Sequence, residues 1–321
     1  MDKTKITMLG ASGSGKTCYM LGMYADMQFG RNGFTFSAED MDDDLELSEG
    51  WEHLIDTEGE SRWPKATSEG QEKVYSFSLN YAMKPIIGFD WLDYRGGAIK
   101  DQSSKEDTQT LMGYIRESSC LLICVSGEYL RDGIDRKKAS LKIKANRINY
   151  ILQEVSKQVN PTQEKPFPVA IVITKFDLCA SRKNEVIDDI KNNLFPSLFT
   201  DGSGWLTLIC PVSLGKDLAE NQNTGEIDPI NVHLPVIFGI YSKLLESSVY
   251  AQNKLNVYKI NMEKLSGNWL KRWINKDKIQ EQSGNQKQLE SQLLEMASNL
   301  NILSQQLGNA NIYLGGKEVG I

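Results

Sequence analysis

A chain of 321 residues, 40% hydrophobic and 24% charged, is too long for one minimal domain and fits one α/β domain with an appendage. Its net charge of −6 argues against a broad nucleic-acid footprint, which needs a basic face. Its two histidines, His53 and His233, argue against a His-based metal centre or a Ser/His triad.

The apolar run Ile6-Thr7-Met8-Leu9 reads as a first strand and residues 16–29 as the helix it feeds. Between them lies Gly10-Ala11-Ser12-Gly13-Ser14-Gly15-Lys16-Thr17, a complete G-x-x-x-x-G-K-[ST] phosphate loop with a strand before it and a helix after. Glycines let successive backbone N–H groups turn inward around a phosphate, and the positive end of the following helix adds to the attraction. Lys16 is placed to reach the β- and γ-phosphates, and Thr17 to offer a hydroxyl to Mg²⁺. Gly10, Ser12, Gly13, Ser14, Gly15, Lys16, Thr17 and Cys18 are therefore the first group of candidate nucleotide-binding residues.

Residues 39–60 are strongly acidic, with Asp40, Asp42, Asp43, Asp44, Glu46 and Glu49. Leu45, Leu47, Trp51, Leu54 and Ile55 supply apolar surface, so a short helical insertion is expected rather than disorder. Tyr75, Phe77, Leu79 and Tyr81 then alternate with polar residues, the period of a half-exposed edge strand. Lys84-Pro85 breaks that strand, and residues 86–93 return as a more apolar one, which predicts an antiparallel hairpin.

Asp93-Tyr94-Arg95-Gly96 ends this second strand. A D-x-x-G there suits a nucleotide switch: Asp93 can hold a Mg²⁺-bound water, and the Gly96 N–H can bond a γ-phosphate. Residues 120–125 and 169–174 read as buried strands. The segments 139–158 and about 184–198 read as helices, and 206–212 as the last strand. Continuous apolar runs of this length belong to a parallel sheet covered on both faces. The basic stretch 131–144 reads as a solvated helix face.

Thr174-Lys175-Phe176-Asp177 ends the strand at 169–173 and matches [NT]-K-x-D. A carboxylate there accepts two hydrogen bonds from guanine, and adenine offers no such donor pair, so Asp177 selects GTP over ATP. The Lys175 stem would cover one face of the base. Pro211-Val212-Ser213-Leu214 ends the next strand, where a loop N–H of Ser213 or Leu214 could contact the guanine O6.

Beyond residue 250 the pattern changes. Leu255, Tyr258, Met262, Leu265 and Trp269 recur at helical spacing, and Leu289, Leu293, Met296, Leu300, Leu303 and Leu307 form a heptad seam. An antiparallel helical hairpin or short coiled coil is expected, with packing of both helices on the nucleotide domain as the equal alternative. Ile312 to Val319, with Gly315-Gly316 between, resembles a small terminal hairpin. The five cysteines, Cys18, Cys120, Cys124, Cys179 and Cys210, form no C-x-x-C pair. The chain opens straight into a strand without a signal peptide, and no apolar run reaches the roughly 18 residues of a membrane helix. These point to a soluble cytoplasmic protein with its thiols reduced.

With GASGSGKT, DYRG, TKFD and a degenerate PVSL in order, residues 4 to 250 resemble a Ras-like P-loop GTPase. More narrowly, Arg62-Trp63-Pro64-Lys65-Ala66-Thr67 before the hairpin and Asp93-Tyr94-Arg95-Gly96-Gly97 after it resemble bacterial TRAFAC-clade GTPases of the double-GTPase type. The resemblance implies an α/β G domain at 1–250. The strand runs themselves predict a six-stranded, mostly parallel sheet with one antiparallel edge strand, and the acidic insertion is expected at about 30–66. A helical region follows at 251–321. The resemblance implies GTP and GDP as substrate and product, Mg²⁺ held by Thr17, Asp93 and a switch threonine (Thr67, with Thr57 second), and a setting in bacterial multi-gene systems, defence among them.

In Ras-like relatives a Gln after D-x-x-G orients the attacking water. Here that position is Gly97, so slow intrinsic hydrolysis is expected. Arg62 and Arg95 are candidates for charge stabilisation in cis, Gln102 for placing water, and a partner protein for stimulation. The C-terminal helices would engage an effector or a second copy of the chain. A non-hydrolysing GTP-binding scaffold and an ATPase or kinase are the competing readings.

Overall fold

The computed structural model describes residues 4–58, 61–64, 73–94, 105–266 and 276–320. Strand β1 (Thr4–Gly10) leads into helix α1 (Lys16–Gln28), then β2 (Phe34–Ala38), α2 (Met41–Ile55), β3 (Lys73–Tyr81) and β4 (Lys84–Asp93). Next come α3 (Lys105–Glu117), β5 (Cys120–Ser126), α4 (Arg136–Ile143), α5 (Ala145–Val159), β6 (Phe167–Thr174), α6 (Lys183–Asp189) and β7 (Trp205–Pro211). Helices α7 (Leu234–Ser266) and α8 (Lys276–Leu307) and strands β8 (Asn311–Leu314) and β9 (Lys317–Glu318) complete the chain.

The strands form one mixed sheet in the order β2-β3-β4-β1-β5-β6-β7-β8-β9. Strands β4, β1, β5, β6 and β7 run parallel, and antiparallel pairs flank them on both sides. The expected six-stranded sheet with one antiparallel edge is thus corrected to nine strands among the described residues. β3 is covered on its outer side by β2, and β7 by the terminal hairpin. Phe34-Thr35-Phe36 is short and sits among Gly30 and Gly33, so its period of two was lost in the insertion around it.

Successive strand side chains point to opposite faces, and the buried strands sort accordingly. Cys120, Leu122 and Cys124 of β5 join α1 and α7 in one core, while Leu121, Ile123 and Val125 join α3, α4, α5 and α6 in the other. The β3–β4 turn is made by Ala82 and Met83 at φ 47° and 65°, a two-residue turn whose left-handed backbone matches strand twist. Gly315 and Gly316, at φ 52° and 79°, make the same kind of turn in the terminal hairpin.

The acidic segment folds as expected into a helix. Asp40 caps α2 by accepting the Asp42 N–H at 2.8 Å, and Asp42, Asp43 and Asp44 lie in its first turn, where the helix dipole favours negative charge. The helix expected at 139–158 is instead two, α4 and α5, broken at Lys144 with φ 62°. The helix expected at about 184–198 is α6 followed by a π-helical turn, Ile190–Leu194, and a 3₁₀ turn, Pro196–Phe199.

Helix α7 crosses residue 250, the expected domain boundary, without a break. Its Val236, Ile237, Phe238 and Ile240 lie in the sheet core, as do Leu303 and Leu307 of α8. Farther out, Ala251 and Leu255 of α7 pack on Leu289 and Leu293 of α8. The heptad seam is therefore shared, resting on the sheet at one end and on α7 at the other. Trp269 lies outside the described residues. No helix among the described residues is long and apolar enough to cross a membrane.

Because Leu303 is fully buried and Leu294 is 74% exposed, Leu303→Ala is expected to lower the unfolding free energy by about 2–5 kcal/mol. Leu294→Ala should stay within about 0.5 kcal/mol of the parent. Urea unfolding of both variants checks this, and equal effects would remove the claim that α8 is seated in the sheet core.

Candidate functional site

The parallel strands point their C-terminal ends to one edge of the sheet, where loops from different strands meet. The loop after β1 turns through Gly13 and Gly15 at φ 74° and 83°, a region that only glycine enters without strain. A Cβ on Gly10 would lie 2.5 Å from Ser14 Oγ and 2.9 Å from the Cys124 carbonyl, so the loop is pressed against β5. Gly15 forms the N-cap of α1, whose first backbone N–H groups have no partner within the helix. Lys16 Nζ donates to the Gly10 and Ala11 carbonyls at 2.9 and 3.3 Å, arching over the loop it follows. Thr17 and Cys18 continue the first turn, both half-buried.

Asp93 ends β4, paired in register with Met8 of β1, and is fully buried. Lys16 and Asp93 both act on Cys124. Burial pushes that thiol up to about 12, with the ammonium opposing the rise and the carboxylate adding to it. Lys16 bonds the Gly10 carbonyl at the end of β1 and Asp93 pairs with Met8 of the same strand, so the cation and the anion lie toward one strand end. For a Mg²⁺ ion, Thr17 and Asp93 offer a hydroxyl and a carboxylate oxygen, the hard donors that the ion takes alongside phosphates and water. Among the described residues there is no group of three or more His, Cys, Asp or Glu suited to a metal. A hydroxyl and a carboxylate suit an ion that completes its shell with phosphate oxygens and water.

The loop after β6 reaches the phosphate loop directly. Thr174 Oγ1 donates to the Ser14 carbonyl at 2.6 Å, and a Cβ on Gly15 would meet Thr174 Oγ1 at 3.2 Å. Lys175 takes a left-handed φ of 50° and pairs with Glu128 at 3.1 Å. Its charge also reaches Cys18, opposing the burial that lifts that thiol to about 11. Asp177 Oδ1 accepts the Ser213 hydroxyl at 2.8 Å, and that hydroxyl oxygen accepts the Gly215 N–H at 3.1 Å. Leu214 is packed against Gly22 so closely that a Cβ there would meet its Cδ2 at 2.4 Å.

These loops line one cavity of about 460 Å³ running from Gly10–Tyr19 past Thr174, Lys175 and Asp177 to Ser213 and Leu214. The phosphate-loop residues Gly10–Cys18, Thr174, Lys175 and Asp177, and Ser213 and Leu214 are thereby brought together, whereas Asp93 is buried at the end of β4 and does not line the cavity. Trp63, Pro64, Tyr94, Lys144, Leu218 and Gln222 line it as well. Lys144, Leu218 and Gln222 carried no sequence signal, since each is placed by a break or loop between elements rather than by a motif.

Arg62 departs from expectation. It is 3% exposed and donates to the carbonyls of Leu54, Ile55, Asn223 and Gly225. Its guanidinium is committed to the backbone, so the role of a charge stabiliser in cis is corrected to a structural tie. Thr57, second choice for the switch, is exposed just beyond α2. Thr67, Arg95, Gly96, Gly97 and Gln102 lie outside the described residues.

A family model described as Double-GTPase 2 matches residues 4–201, which takes in the phosphate loop, Asp93 and Thr174–Asp177. No curated protein matches the chain.

Burial raises the Asp177 carboxyl above its ordinary 3.8, with the Ser213 hydrogen bond and the Lys175 charge opposing. The folded state therefore holds this proton more tightly than the unfolded one, and stability falls as pH rises through the window between the two pKa values. Asp177→Asn, which can still accept the Ser213 hydroxyl, should melt no lower than the parent at pH 7. Its advantage should shrink as pH drops below that window. A lower melting point with a pH-independent gap would contradict this account.

Proposed function

The chain belongs to the Double-GTPase 2 family, and from that premise we propose that it binds GTP in this cavity and hydrolyses it slowly to GDP and phosphate as a molecular switch. The observation that carries the reading is the continuity of the cavity. It joins the phosphate loop at one end to Asp177, held by Ser213, at the other. A triphosphate and a guanine fit those two ends by chemistry alone. The loop N–H groups and Lys16 suit phosphate oxygens, and the half-buried Asp177 carboxylate suits a base that presents two N–H donors. A carboxylate that a bound base covers without supplying those donors is costly, which is how adenine is refused.

In hydrolysis a water oxygen bonds to the γ-phosphorus and gives up a proton to the phosphate oxygens or solvent, the bond between the γ-phosphorus and the β–γ bridging oxygen breaks, and charge gathers on the transferring and leaving oxygens. Lys16 answers that charge, and the loop N–H groups hold the phosphates in line. Mg²⁺, when bound through Thr17 and Asp93, supplies further neutralisation of the phosphates. Thr67 is the expected third ligand of that ion, and Gly96 the expected backbone contact to the γ-phosphate. Gly97 follows it with no side chain to orient water. That argues for slow turnover by the isolated chain and for a partner protein that supplies the missing group, with Arg95 as the remaining candidate in cis. The paired helices α7 and α8, continuous with the core beneath the site, are the proposed route to an effector.

The purified chain is expected to turn over GTP more slowly than about 1 s⁻¹ and to lose nucleotide binding in Lys16→Ala. Faster turnover by the isolated chain would contradict the need for a partner. In Asp177→Asn, preference should move from guanosine to xanthosine triphosphate, because the amide offers a donor where xanthine carries an oxygen. Unchanged GTP affinity in that variant would remove Asp177 as the base-reading residue.

A further inference from the structure

Lys144, which no motif marks, stands in the cavity wall on a backbone unusual for a lysine. It ends α4 and opens α5 at φ 62° and ψ 36°, the left-handed region that glycine enters freely and other residues enter at a cost. Its N–H closes α4 by donating to the Ser140 and Leu141 carbonyls. Its carbonyl accepts the Arg147 N–H at 3.0 Å and the Ile148 N–H at 3.1 Å in the first turn of α5. Among the described residues two lysines take this conformation, Lys144 and Lys175, and both line the cavity. Backbone held in such regions clusters at active sites and ligand clamps.

The elements around α5 set the side from which Lys144 enters. Arg147, one turn further on, donates through Nη2 to Thr108 Oγ1 of α3 at 2.7 Å. Tyr94, the residue after Asp93, belongs to one apolar core with Leu111 and Met112 of α3 and with Ala145 and Ile148 of α5, and it lines the cavity as Lys144 does. The start of α5 is therefore joined to the helix and strand end that follow and carry Asp93. In the sheet, β4 and β1 are separated by β5 from β6 and β7, whose ends bear Lys175, Asp177 and Ser213. Lys175 is paired with Glu128 on that far side.

We propose that Lys144 is a second cation for the phosphate end of the cavity, contributed from the α4–α5 break to the γ-phosphate of a bound GTP. This role rests on the reading of the cavity as a guanine-nucleotide site. An ammonium is a compact charge with three donors on a flexible stem, and it suits oxygens at the end of a triphosphate. GDP lacks the γ-phosphate, so Lys144 favours the triphosphate state of the switch over the diphosphate state. It does not orient water, and the gap left at Gly97 stays open to a partner.

Binding of a non-hydrolysable GTP analogue and of GDP to the full chain, both with Mg²⁺, tests this. Lys144→Gly removes the ammonium at a backbone position that glycine prefers, so the variant should melt no lower than the parent. It should bind the GTP analogue roughly tenfold or more weakly, the size of one lost hydrogen bond to a charged group, with GDP affinity unchanged. Lys144→Met, which keeps the stem, should show the same selective loss, and Lys144→Arg should keep the preference for the triphosphate. Parent-like analogue binding in Lys144→Gly and Lys144→Met, or equal losses of analogue and GDP, would overturn the role of Lys144 alone. A parent chain that binds neither nucleotide would overturn the guanine-nucleotide reading itself.

Discussion

The hydrogen bond from Thr174 Oγ1 to the Ser14 carbonyl, 2.6 Å long and buried, is where two separately encoded loops become one site. It exists because β1, β5 and β6 run parallel and in register, Gly10 opposite Cys124 and Ser126 opposite Thr174. Parallel pairing brings like ends of the strands to the same edge, and each connection must cross a face of the sheet to return there. The crossing helices fill both faces, which is why β5 and β6 are buried along their whole length. Everything at the site depends on that arrangement: the glycine turn against β5, the carboxylate of Asp93 at the end of β4, and the Asp177–Ser213 pair across β6 and β7.

The residues outside the parallel core modify this edge rather than create it. β2 and α2 add a layer beside β3 in which acidic residues have defined tasks. Asp44 accepts a hydrogen bond from Tyr24 of α1, and Lys73 of β3 pairs with Asp43 and Glu46. Asp43, Asp44 and Glu46 thus serve their own layer, while Asp42, Glu49 and Glu52 face solvent. The far end of the insertion is returned to the site by Arg62, which joins α2 to the loop of residues 223–225. At the other flank, α7 and α8 leave the core and come back. Their roots share apolar contacts with the strands below the phosphate loop, including Ile6, Met8 and Cys124. A partner engaging the outer parts of these helices would act on elements packed against the same strands that carry the nucleotide loops.

The amino-acid sequence by itself determined whatever depends on neighbours along the chain. The phosphate loop was readable because glycine φ angles, the helix N-terminus and Lys16 all act within eight consecutive positions, Gly10 to Thr17. Strand and helix periods located the parallel strands, and the Gly315-Gly316 turn located the terminal hairpin. The order of DYRG and TKFD placed Asp93 and Asp177 at strand ends. Tertiary structure alone decided which distant segments pair and which buried polar groups find partners. Leu314 lies opposite Leu206 only because a long helical excursion returns the chain to β7, a closure that no local pattern records. Arg62 read as a free cation until its four carbonyl acceptors came from 7 to 163 positions away. Lys144 joined the cavity wall only through a left-handed break in what reads as one helix. Local sterics are written residue by residue, whereas the satisfaction of buried donors is settled by whichever backbone the packed fold brings within reach.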